Sequence, residues 1–179
     1  MDPTARSRAF VDDALDRLRA DDGEFPLETV TWHVDAADHD AYVERLRAGA
    51  LGGAGTWTRN DAGEVLLVRN ERDAAWADPG GKREAGESFA TAARCETREE
   101  TGIDPEIEGV AVAQRIRVTA PDRDPLQSLV VVFHATGNGA PSPREDEIAA
   151  ARWWPRRPDD LLYDALERLP FPGERSPGP

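Results

Sequence analysis

Hydrophobic positions follow two periods along this chain, and the switches between them mark out its elements. Between Thr4 and Ala20, Phe10, Val11, Ala14, Leu15 and Leu18 recur at helical spacing, and Asp21-Asp22-Gly23 ends the run. Leu27 to Val34 alternates instead, placing Val30, Trp32 and Val34 on one face of a half-buried strand. Asp40 to Ala48 predicts a second short helix that stops at Gly49, after which Gly52, Gly53 and Gly55 mark a boundary. Thr56 to Arg59 and Val65 to Arg69 flank Asn60-Asp61-Ala62-Gly63 and predict a hairpin. Trp76 to Gly86 reads as a loop holding Pro79-Gly80-Gly81, and Ser88 to Thr101 as a helix capped by Ser88 and closed by Gly102.

Val110 to Thr119, Leu129 to Ala135 and Ala151 to Trp154 predict further strands, and Asp159 to Leu169 a closing helix. The end from Pro170 is rich in Pro and Gly and is expected to fray. Strands and helices interleave without strict βαβ regularity, which predicts an α/β protein with a mixed sheet flanked by helices. The division expected is a helix-strand-helix extension over 1–50, one domain over 51–170 and a flexible tail over 171–179.

Composition narrows the functions open to such a fold. Among 179 residues, 35 acids oppose 22 basic residues, only Lys82 being a lysine, for a formal charge of -13. That surface repels phosphate backbones and anionic headgroups, which argues against a nucleic acid polymer or a membrane as partner. The same excess of carboxylates is similar to proteins of salt-loving microbes. No apolar run reaches the roughly 18–20 residues of a membrane span, and charges alternate where a signal peptide would be apolar, so a cytoplasmic protein is expected. The single Cys95 rules out an intrachain disulfide and a cysteine zinc cluster.

Against this acidic background one cluster stands out. On the helix beginning at Ser88, Phe89, Ala92 and Ala93 share a broad sector with Glu96, Glu99 and Glu100, while Arg94 and Arg98 point away. The helix thus anchors itself at one end and presents charge at the other. Carboxylates three and four residues apart repel by a few tenths of a kcal/mol per pair, a conflict that a hard divalent cation removes. The competing reading is a solvated acidic helix end.

The order Gly81, five residues, Glu87, seven residues, Cys95-Glu96-Thr97, one residue, Glu99-Glu100, one residue, Gly102-Ile103 resembles the Nudix box. Trp76 with Pro79-Gly80-Gly81 resembles the family's approach to that box, and Ala151 to Pro155 its closing strand; the resemblance spans about Gly52 to Leu169. It implies a Nudix-like α/β/α sandwich that hydrolyses the pyrophosphate linkage of a nucleoside diphosphate derivative, a small-molecule substrate, with Mg2+ or Mn2+. Carried over by position, Glu99 and Glu100 would be principal metal ligands and Glu96 a further ligand or the base. The carbonyl of Gly80 or Gly81 would join them, and Glu87 would support the loop. A distal base in this family comes from a separate loop, where Glu145, Asp146 and Glu147 lie; of these Glu147 is favoured.

Three positions depart from the pattern: Cys95 replaces the box arginine, Thr97 the aliphatic residue, and Asp78 the leucine that often precedes Pro-Gly-Gly. An arginine at 95 could hold Glu99 one turn away; Arg83, Arg94 and Arg98 are the candidates to replace it. The substitution keeps a second reading open, a Nudix-fold module that binds a nucleotide without cleaving it. A Cys95 nucleophile is disfavoured, since His33, His39 and His134 have no evident spacing to it. Arg69, Lys82 and Arg83 lie near the glycine loop and could grip phosphate. Trp57, Trp153 and Trp154 suit core packing better than base stacking. Residues 1–50 read as a specificity lid, the arm of a homodimer or simple packing.

Overall fold

The computed structural model describes residues 2–144, 147–172 and 174. Helix α1 (Pro3–Asp22) is capped by the Asp2 side chain and ended by Gly23 at a φ of 79°. Strand β1 (Leu27–His33) alternates between exposed and half-buried positions, and α2 (Ala36–Arg47) starts at an Asp35 cap, four residues before the sequence pattern suggested. The order continues β2 (Gly53–Arg59), β3 (Val65–Asn70), β4 (Gly80–Lys82), α3 (Phe89–Thr101), β5 (Glu106–Thr119), β6 (Leu126–Thr136) and β7 (Ile148–Trp154). The expected helix over Asp159 to Leu169 is reduced to a 3-10 turn at Asp164–Arg168, because Leu161 and Leu162 are pulled out to pair with Trp76.

Among the described residues seven strands form one mixed sheet in the order β1-β5-β6-β2-β3-β7, with β4 on β2. Strand β1 lies parallel to β5, and β6 parallel to β2; the other pairs are antiparallel. The stretch from 76 to 86, expected as loop, therefore contributes a strand. The second edge of β2 is shared: β3 meets it at Arg59↔Val65, while β4 takes Gly53, Ala54 and Gly55. Glycine is required at this seam. A Cβ on Gly80 would stand 2.6 Å from the Ala54 carbonyl oxygen, and one on Gly53 2.8 Å from that of Gly81.

Two layers of helix and turn enclose the sheet. On one face Val11, Leu15 and Leu18 of α1 pack with Phe89, Ala92 and Ala93 of α3 against Leu129, Val131 and Phe133. On the other, Tyr42 and Val43 of α2 lie with Ile116 and Val118, and Leu166, Leu169 and Phe171 close over Trp57 and Val132. The extension is thus woven into the same sheet and core. Phe171 is buried edge-on against Trp57, whose indole N–H donates to the Pro170 carbonyl, so the fraying expected from Pro170 does not begin there. The remainder of that expectation, 173 and 175–179, lies outside the described residues. No helix among the described residues is long and apolar enough to cross a membrane.

Helix α3 is tied down by polar as well as apolar contacts. Thr97, where the box pattern calls for an aliphatic side chain, is fully buried and bonds Thr56 of β2 at 2.8 Å while donating to the Ala93 carbonyl. Thr56 in turn meets Thr58 at 2.7 Å, so the departure at 97 is matched by hydroxyls on the strand opposite. Arg83 anchors the loop before the helix. Its guanidinium donates to the carbonyls of Leu51, Glu87 and Gly49 at 3.0, 2.7 and 2.6 Å and lies over the rings of Phe10 and Phe89. Arg83→Met is expected to lower unfolding free energy by about 3 kcal/mol in urea titrations, because buried carbonyls lose charge-assisted partners.

Candidate active site

The acidic end of α3 meets the glycine strand directly. The Gly80 amide donates to Glu100 Oε2 at 2.9 Å, and a Cβ on Gly81 would stand 2.5 Å from Glu96 Oε2. Ser88 caps the helix through the Thr91 amide and Gly102 closes it in the left-handed region at a φ of 71°, so the register of the acids is set from both ends. Glu87 accepts from the Glu84 amide at 2.8 Å and holds the turn before the cap, the supporting part expected of it.

The three acids of α3 differ in setting. Glu100 is 6% exposed, Glu96 is half-buried, and Glu99 faces solvent. Burial, offset by the Gly80 bond and reinforced by Glu96, Asp78 and Glu147, pushes Glu100 up to about 8. Glu96 is raised by burial first and then by Glu99, Glu147, Glu87 and Glu84. Among the described residues no group of three or more His, Cys, Asp or Glu side chains is already placed to hold a metal ion. The donors are oxygens, partly open to solvent and mutually repelling, which suits a hard cation that keeps several of its waters.

The charge of Glu147 adds to the upward shift of both Glu96 and Glu100. Glu145 and Asp146 lie outside the described residues. Of the three arginines considered as partners for Glu99, Arg94 pairs with Asp104, Arg83 is buried beneath α1, and Arg98 is exposed. The cation that does approach is Arg144, 3.6 Å from Glu99 and 3.7 Å from Glu147. It is held there by the backbone: the amides of Ser142 and Arg144 donate to the Thr101 and Glu100 carbonyls at the end of α3. Sequence reasoning missed it because its partner lies more than forty positions away.

A cavity of about 430 Å³ opens beside Gly80 and Gly81 on the face of the sheet opposite α1. Lys82 lines it. Arg83 does not, being turned inward as described, and Arg69 stacks over Trp76 with its guanidinium carbon 5.4 Å from the ring centroid. The cation found there instead is Arg45 of α2, whose Nη2 donates to the carbonyls of Ala50 and Arg83. Asp38, Tyr42 and Arg45 share one face of α2 at spacings of four and three, a signal present in the sequence. Asp78, the departure before Pro-Gly-Gly, lies against Gly55 in this cavity, where burial pushes it up to about 7. Trp57 is buried and Trp154 packs edge-on with Trp76, so neither is free to stack on a base.

The family model described as NUDIX domain matches residues 51–169. The crystal structure of the MutT NUDIX hydrolase from Burkholderia pseudomallei is similar at 25% identity and a TM-score of 0.54, over 67% of this chain and 98% of that one. A NUDIX hydrolase from Nitrosomonas europaea shares the fold at 21% identity and a TM-score of 0.54, over 67% and 69% of the two chains.

Two outcomes follow. Glu100 and Asp78 have folded values above their unfolded ones, so their contribution to stability is full below about pH 4 and lost as pH rises through 7 and 8. In chelator, thermal melts are expected to fall several degrees between pH 6 and pH 8.5, with Mg2+ narrowing the gap; a flat profile contradicts the assignment. Gly80→Ala, whose methyl meets backbone, is expected to cost about 1–3 kcal/mol more than Gly81→Ala, whose methyl meets only the movable end of Glu96.

Proposed function

The chain belongs to the NUDIX family, and we propose that it hydrolyses the pyrophosphate linkage of a small nucleoside diphosphate derivative with the help of Mg2+ or Mn2+. The observation that carries the reading is the meeting of Glu96 and Glu100 with Gly80 and Gly81, where Glu100 and both glycines line a cavity of nucleotide size.

Glu96, Glu99 and Glu100, with the Gly80 or Gly81 carbonyl, would hold the cation. When bound it supplies charge neutralisation at the phosphate oxygens and eases the ionisation of water. The remaining work falls to this chain's own groups. A water oxygen bonds to one phosphorus as the bridging P–O bond breaks, giving two phosphate products. Its proton passes to a carboxylate, Glu96 or Glu147. Glu96 suits that part because burial and its acidic neighbours raise its proton affinity. Lys82 and Arg45 line the cavity on the side of the glycines and offset charge on the phosphates, against the negative field of the whole surface. Arg144 offsets the repulsion between Glu99 and Glu147, the service that Cys95 cannot give.

The test is a product assay over a panel of nucleoside diphosphate derivatives with Mg2+ or Mn2+, at high and low salt. Wild type is expected to release a phosphate monoester, and Glu99→Gln and Glu100→Gln to lose about 100-fold or more in kcat with unchanged circular dichroism. Undiminished cleavage in both variants overturns the metal assignment. Nucleotide binding by a wild type that cleaves nothing favours the binding module.

A further inference from the structure

The cavity beside the glycine strand is not closed by the family domain alone. Its far wall is built by the extension, through Trp32 of β1 and Tyr42 and Arg45 of α2. A second chamber of about 490 Å³ continues beyond it, and Trp32 and Tyr163 line both. These two aromatic side chains therefore stand at the waist between the chambers. Tyr163 is 47% exposed, and Trp32 is half-buried, packed on one side against the cluster of Ile116, Val118 and Leu126. Aromatic faces lining a cleft are suited to stacking on a flat ring.

A carboxylate without a partner lines the first chamber. Among the described residues Asp78 makes no ion pair and its side chain accepts no hydrogen bond from another residue. Its charge nevertheless reaches the Tyr163 hydroxyl, which is raised by burial first and by Asp78 next. A desolvated acceptor next to an aromatic waist is satisfied by a ring that brings N–H donors. Arg45 completes the wall. Its bonds all run from Nη2, so Nε and Nη1 remain available to a phosphate on the glycine side.

We propose that the N-terminal extension is the substrate-selecting wall of this enzyme, and that the group it selects is a heteroaromatic base whose N–H edge is read by Asp78 while Trp32 and Tyr163 stack on its faces. The proposal rests on the hydrolase reading for the position of the diphosphate, at Gly80 to Lys82. A carboxylate accepts two parallel N–H bonds best, so a base offering adjacent N–H donors is preferred to one offering a single donor.

Binding of nucleoside monophosphates, which contain no linkage to hydrolyse, separates this proposal from the hydrolase reading. GMP, AMP, CMP, UMP and ribose 5-phosphate are titrated by calorimetry into the full chain in Mg2+ buffer. Wild type is expected to bind GMP most tightly and ribose 5-phosphate least. Trp32→Leu and Tyr163→Ala each weaken all four nucleotides about tenfold and leave ribose 5-phosphate unchanged. Asp78→Asn weakens GMP about tenfold and UMP little, flattening the order. Tyr163, on an exposed turn, provides the arm in which folding is not at stake. The proposal is overturned if the folded variants bind all five ligands as wild type does, or if Asp78→Asn weakens them equally. Base selectivity without any hydrolysis sinks only the hydrolase reading, and hydrolysis with no selectivity sinks only this one.

Discussion

The close approach of Gly80 and Gly81 to β2 on one side and to α3 on the other is the constraint on which the rest of the molecule turns. No Cβ fits at Gly80 without meeting the Ala54 carbonyl, and none fits at Gly81 without meeting Glu96. Because the strand runs so close to the helix, the Gly80 amide can reach Glu100 and fix that carboxylate where it would otherwise be unsatisfied. Repulsion among Glu96, Glu100 and Glu147 is then a consequence of the packing rather than of chance composition.

Elsewhere the structure spends polar contacts to keep this seam in place. Thr97 and Thr56 hold α3 against β2, and Arg83 gathers the carbonyls of Gly49, Leu51 and Glu87 into one anchor. The missing box arginine is handled from outside the helix. Arg144 reaches Glu99 because the preceding loop hydrogen-bonds to the last carbonyls of α3, where the helix dipole also favours a cation.

Much of this was legible in the chain. The helix from Ser88, its cap, its Gly102 stop and the acid register follow from local rules, and the helices, hairpin and strands follow from periodicity, with ends that moved by a few residues. What failed depended on distant partners. Strand β4 is only Gly80–Lys82 and exists because β2 offers its edge; the closing helix gave way because Trp76 claims Leu161 and Leu162. Arg83 read as a phosphate contact from its place beside the glycines, yet its side chain passes to the opposite side of the sheet, beneath Phe10 of α1. Arg45 entered the site from a segment that family resemblance does not reach. The acidic composition carried no hint of either.

Packing of the glycine strand against α3 sets Glu96 and Glu100 beside Gly80 and Gly81, and with Glu99 they form the proposed cation site. Titration of Mn2+ followed by electron paramagnetic resonance tests it without reference to any substrate. Wild type should bind Mn2+ with Mg2+ competing, and a Glu96→Gln, Glu100→Gln double variant that keeps its circular dichroism should lose that binding. Equal stoichiometry and affinity in the two proteins would contradict the account.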